Sequence, residues 1–275
     1  MAYWNRKPQL LFTLKTISLS AYKNIEVIIV DDASDDQHRL EDIVNNYQFK
    51  IHLIRINKEE KTWINPCIAY NKGFARATGE IVIVQNPECC HVGDCLTYVS
   101  QHLKPNDYLT FSCFALNNMG KNDYLQKIYT EDNDPSPVFK FIEDVSKEKW
   151  CINHGWKGWY NHPVHNPRKF HFMSATMKSN IEKMGGFDEN YAMGLWFDDN
   201  EFFLRISALC QATILPLSEK VCCIHQYHDH SKADDHLALK NKSLYMELLG
   251  KIERKEDFID WRGHKVVGGQ RPKGL

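Results

Sequence analysis

Apolar residues in the first third of the chain repeat in two different rhythms, and the switching between them predicts the architecture. Leu10, Leu11, Leu14, Ile17 and Leu19 recur near helical spacing after Pro8, a residue favoured in a first helical turn, and predict a helix from about Pro8 to Ser20. Glu26 to Val30 is then a short β-branched run of the kind that suits a strand covered on both faces. A helix carrying Leu40, Ile43 and Val44 is expected next, then a strand from Ile51 to Ile56, a helix from about Asn65 to Ala77 and a strand from Ile81 to Val84. Strands alternating with helices over short connections predict a mostly parallel, doubly wound sheet, in which ligands bind beyond the carboxyl ends of the strands.

Two of those strand ends carry polar clusters: Asp31-Asp32-Ala33-Ser34-Asp35-Asp36 and Gln85-Asn86-Pro87-Glu88. A helix cap would account for Ser34 or Asp35 equally well, whereas Asp31 and Asp32 sit at the strand end itself. From Asn117 to Pro137 the chain turns polar and reads as a loop. An aromatic group follows, with Trp150, Trp156, Trp159 and Tyr160 interleaved with glycines and with His154, His162 and His165. Such rings can form a platform for the CH face of a sugar, or they can pin a long loop by packing among themselves.

Further on, Met184-Gly185-Gly186-Phe187-Asp188-Glu189 leads through a short spacer to Asp198-Asp199-Asn200-Glu201, which opens a helix with Phe202, Phe203, Ile206 and Leu209 on its buried face. Two glycines and then adjacent carboxylates at a helix start can present a general base at a cleft edge; an acidic first turn is also what the helix dipole favours. A strand is expected from Ala212 to Leu215, and the apolar run at Val221 ends in His225, His228, Asp229 and His230, which could ligate a divalent ion or be an exposed polar strand end. Leu237, Leu239, Leu244, Leu248 and Ile252 predict a terminal helix from Asp234 to about Arg254.

Composition narrows the classes. The 275 residues are 43% hydrophobic, enough to bury a core, and a net charge of -1 gives no general attraction to nucleic acid. Nine cysteines in no C-x-x-C spacing argue against a zinc ribbon or a disulfide framework, and for buried thiols in a reducing compartment. No run approaches the ~18 apolar residues of a membrane span, so a cytoplasmic location is expected. After Trp261 the tail carries Arg262, Lys265, Arg271 and Lys273 and no acid, which suggests weak association with an anionic membrane surface.

In order along the chain, Val30-Asp31-Asp32-Ala33-Ser34, Asn71-Lys72-Gly73, Ala77-Thr78-Gly79-Glu80-Ile81-Val82-Ile83-Val84, Gly185-Gly186-Phe187-Asp188 and Asp198-Asp199-Asn200-Glu201 resemble the family 2 glycosyltransferases of GT-A fold. The resemblance implies an α/β enzyme with a C-terminal helical extension. The domain would span 1–230, with a nucleotide-sugar half at 1–115 and an acceptor and catalytic half at 116–230, and the helix and basic tail would take up 231–275.

The resemblance further implies inverting transfer of a hexose or N-acetylhexosamine from a nucleotide-diphosphate donor, most simply a UDP-sugar, to a glycan or lipid-linked saccharide. It assigns Asp199, or Asp198 beside it, as base, and Asp31, Asp32, Ser34, Asn71 and Asn86 to the donor. Glu88, Asn86, His225 and His228 would hold Mn²⁺ or Mg²⁺, and Trp156, Trp159 and Tyr160 would meet the acceptor. Two features depart from the family: Asn86-Pro87-Glu88 stands where an Asp-x-Asp metal motif is usual, and the opening strand is missing, with Tyr3-Trp4-Asn5-Arg6 resembling its end and turn. Those departures keep open a second class, a non-catalytic carbohydrate-binding or scaffold protein on a degenerate transferase fold.

Overall fold

A computed structural model describes residues 1–229, 234–254, 256, 258–259 and 265–266. In chain order the elements are β1 Ala2–Tyr3, α1 Lys7–Ser18, β2 Glu26–Asp32, β3 Lys50–Ile56, α2 Cys67–Arg76, β4 Ile81–Gln85, β5 Cys89–Val92, α3 Cys95–His102, β6 Asp107–Phe111 and β7 Cys113–Ala115. There follow α4 Met119–Ile128, α5 Ser136–Ser146, α6 Lys149–Asn153, β8 Trp159–Asn161, β9 Met173–Met177, α7 Lys178–Met184, α8 Asp198–Leu209, β10 Gln211–Leu215, β11 Cys222–His225 and α9 Asp235–Glu253. Most of the expected helices and strands fall within a few residues of these bounds. The basic residues Arg262, Arg271 and Lys273 of the tail lie outside the described residues.

The α/β class holds, with parallel and mixed sheets flanked by helices. One sheet, β1-β2-β3, is parallel throughout; a second runs β10-β6-β9-β4 and a third β5-β11-β7-β8, both mixed. β9 is antiparallel to β4 and β6 because it returns from a long excursion over residues 116–172 and not through a βα crossover.

Two local expectations fail for physical reasons. Leu40 and Ile43 are buried as their pattern implies, yet no α-helix forms around them. A single 3-10 turn at Asp36–His38 ends where Arg39 takes an extended conformation, and Asp35 makes no capping bond. In contrast, the polar stretch after Asn117 does form a helix, α4, because the Asn118 side chain accepts the Lys121 N–H at 3.0 Å and Leu125 is buried.

An opening strand is present, two residues long. Ala2 and Tyr3 pair in parallel with Val30 and Asp31, and the Met1 ammonium donates to the Ile28 carbonyl at 2.9 Å. Burial pushes that ammonium down to about 5. Beside it, a cavity of about 680 Å³ is lined by Ile25 to Ile28 of the first sheet and Ile81 to Gln85 of β4. This short strand thus completes the end of the sheet nearest the polar clusters and leaves a gap behind it.

Candidate active site

Two centres form at the carboxyl ends of the strands, and each gathers residues distant in sequence. The first is built on Glu88, between β4 and β5, whose residue is 1% exposed. Its Oε1 lies 2.8 Å from Arg6 Nη1, 3.1 Å from His225 Nε2 and 3.6 Å from His228 Nε2. Burial alone would raise the Glu88 carboxyl, but hydrogen bonds from His225 and His228 and the Arg6 charge hold it well below the usual range. Burial likewise pulls His225 down, and its bond to Glu88 outweighs this and raises it. Glu88 Oε2 is buried without a hydrogen-bond partner, and one ligand atom each from Glu88, His225 and His228 lie within 4.8 Å of one another. A carboxylate with one oxygen unpartnered and two imidazole nitrogens beside it fit a divalent cation such as Mn²⁺.

Asn86 does not join that set. Its Oδ1 accepts the Tyr70 hydroxyl at 2.9 Å and its amide leans on Glu88 at 3.4 Å, so it braces the centre.

The second centre is the start of α8. Trp196 and Phe197 just before it take φ of +61° and +63°, a conformation that costs a non-glycine residue about 1–3 kcal/mol. That turn separates the environments of the two carboxylates that follow. Asp198 points inward and accepts the Asn65 amide at 2.7 Å; burial, and after it the Asp199 charge, push its carboxyl up to about 7. The Asp199 side chain keeps 33% exposure, with Oδ1 at 2.8 Å from His171 Nδ1 in an ion-pair contact without hydrogen-bond alignment. His171 is buried edge-on to the rings of Tyr70 and Phe187; burial pulls it down, and the Asp199 charge prevails and raises it.

Tyr70 joins the centres. Its hydroxyl holds Asn86, its ring meets His171, and after burial it is the charges of Glu88 and Asp199 that most oppose its ionisation.

The end of β2 lies on the same side of the sheet and is already satisfied internally. Both Asp31 oxygens are taken, one by Arg55 Nη1 at 2.6 Å and one by the Ser34 N–H at 2.9 Å. Asp32 holds Lys61 Nζ at 2.6 Å and Trp63 Nε1 at 2.9 Å. Ser34 accepts the Asn5 N–H at 3.0 Å, which ties the turn after β1 to this loop. Ala33, between them, has φ +65°.

Two of the expected site residues are engaged in packing within the fold. The Asn71 amide is committed to the Phe187 backbone, accepting its N–H at 2.8 Å and donating to its carbonyl at 2.9 Å, and to Glu189 at 2.8 Å. It clamps the double-glycine turn. Trp159 is 4% exposed and packs in the core edge-on to Phe114 at 4.9 Å. Tyr160 does reach the Glu88 centre, its ring 5.0 Å from that of His225. Trp156 stays exposed under the Arg168 guanidinium at 4.5 Å. Sequence reasoning missed Arg6, Asn65, Tyr70 and His171; only Arg6, in the turn after the opening strand, lay within a stretch already singled out.

An α/β core with acidic and imidazole groups gathered at its strand ends is the GT-A arrangement. Residues 1–166 match the glycosyl transferase family 2, and the chain belongs to that family. The amylovoran biosynthesis glycosyltransferase AmsB of Erwinia amylovora is 34% identical over 82 residues, which span 29% of this chain and only 26% of that protein. Among solved structures, TarS 1-349 of S. aureus superposes with a TM-score of 0.53 at 15% identity, covering 82% of this chain and 58% of that one. GalNAc-T7, solved with UDP, GalNAc and Mn²⁺, gives 0.53 at 12% identity, over 83% of this chain and 42% of that one. At these identities the structural likeness concerns the fold.

Proposed function

We propose that the protein transfers a sugar from a nucleotide-diphosphate donor to an acceptor hydroxyl with inversion, Asp199 taking the hydroxyl proton. The observation that carries this reading is the division of labour at α8: Asp199 is open to the cleft and contacts His171, while Asp198 is buried and held near neutrality. Two adjacent carboxyls in different environments are how one pair of acids divides its roles. His171 behind Asp199 fixes its direction.

On the donor side, Glu88, His225 and His228 would hold a divalent cation, which when bound offsets the negative charge that grows on a departing diphosphate. Asp32 would face the nucleoside together with Lys61 and Trp63, and Asp31 and Ser34 would keep that loop in shape. Tyr160 and Trp156 are the aromatic faces left for a glycan or lipid-linked saccharide acceptor. UDP-sugars with Mn²⁺ are the first donors to try, since GalNAc-T7, of like fold, was solved with UDP, GalNAc and Mn²⁺. The test is turnover across a panel of UDP-sugars, counting hydrolysis where no acceptor is supplied: Asp199→Asn lowers it by orders of magnitude, and unchanged turnover in that variant refutes the assignment.

Arg6 supports a second reading of the cation alone. Its guanidinium already sits 2.8 Å from Glu88 Oε1 and could serve the donor diphosphate in place of a metal. Turnover that survives a chelator and is lost in Arg6→Gln would select it.

A further inference from the structure

Three cysteines meet on the inner face of the third sheet. β11 pairs Cys223 with Cys113 of β7 and His225 with Cys89 of β5, and since side chains alternate along a strand, Cys223 and His225 share a face with both partners. All three cysteines are fully buried, and their Sγ atoms lie within 4.8 Å of one another. Other buried thiols turn to carbonyl oxygens: Cys90 to Ile224 at 3.5 Å, Cys95 to Cys222 at 3.4 Å and Cys67 to Asn65 at 3.9 Å. Cys89, Cys113 and Cys223 turn to each other. Their surroundings are Val99, Phe111, Met173 and Leu215, a soft apolar shell.

We propose that Cys89, Cys113 and Cys223 form a trigonal thiolate site for a soft d¹⁰ cation, separate from the hard-ligand centre at Glu88. A metal–sulfur bond of about 2.3 Å places three sulfurs in a plane about 4.0 Å apart, so these thiols need move little to bind. Sulfur ligands select zinc, copper(I) and their heavier congeners over magnesium or manganese, which the oxygen and imidazole set suits. Each thiol that ligates forms one metal–sulfur bond and releases its proton to solvent. A divalent ion with three thiolates leaves one net negative charge, against two for a monovalent ion, and so costs less to bury. Because the ligands come from β5, β7 and β11, the bound ion would cross-link β5, which starts just after Glu88, to β11, which ends in His225.

Cadmium(II) is the probe, supplied during refolding because the site is buried. The expected result is one equivalent bound, a sulfur-to-cadmium charge-transfer band in the near ultraviolet, proton release and a raised melting temperature. The band disappears in Cys113→Ala, confirmed folded by circular dichroism. It persists in Cys90→Ala, and in the double variant Glu88→Gln, His225→Gln, which separates this site from the proposed donor centre. Absence of the band, its survival in Cys113→Ala, or a disulfide between two of the three thiols in place of cadmium uptake would each overturn the proposal.

Discussion

Adjacent acids at the start of α8 part company because one is dry and the other is not, and two predictions follow from that difference. Asp199→Asn keeps the shape but cannot accept a proton, so kcat should fall about 10²- to 10⁴-fold with the donor KM unchanged; a KM effect alone would mean that Asp199 binds and does not act as base. Asp198 is the unusual case of an acid raised by folding, from 3.8 to about 7. The folded state therefore keeps a proton that the unfolded chain has lost, and stability falls as pH rises through that window. The shift corresponds to at most about 4 kcal/mol. Asp198→Asn, which can still accept the Asn65 amide, should match the parent near the lower end of the window and be more stable above about pH 7. Denaturation curves that run parallel for the two chains across the window would disprove the raised acid.

Among the elements, the double-glycine turn between α7 and α8 is the joint on which the second centre depends. Gly185 and Gly186 have φ of +83° and +76°, and a Cβ at Gly186 would lie 2.3 Å from Asn71 Oδ1. The turn is held from the other side by Arg205, which donates to the carbonyls of Met184 and Gly186 while paired with Glu201. Gly186→Ala should therefore cost about 2–3 kcal/mol in urea denaturation and lower turnover with it; a stable, fully active variant would show that the clamp is not needed. The glycines and the acids were legible in the sequence because their spacing is local. The structural partner of Asn71 was not legible because it lies more than a hundred residues away, at Phe187. The same distinction explains the fold: α1, β2, β3, α2 and β4 announced themselves by local periodicity, whereas the short strands β5, β7, β9 and β11 have meaning only through long-range pairing. His171 gave no local signal at all, since its role comes from Asp199 across the cleft.

At the scale of the molecule, the short opening strand leaves a buried amino group at the head of a cavity, and that combination has a measurable signature. The Met1 ammonium, depressed to about 5 when folded, has a value of 8.0 when unperturbed. Between those values the unfolded chain binds a proton that the folded chain rejects, so this group makes stability rise with pH and is a growing liability as pH falls from 8 toward 5, by at most about 4 kcal/mol. The sign is opposite to that of Asp198, so the two must be separated by changing one group at a time. Acetylating the α-amine removes its charge and keeps an N–H for the Ile28 carbonyl, and the cavity of about 680 Å³ beside it can take the added group. Acetylated and free chains should be close in stability above about pH 8 and diverge toward pH 5, with the acetylated chain the more stable. Equal pH slopes for the two would mean that the amine reaches water, and that the gap between β2 and β4 is wet along its length.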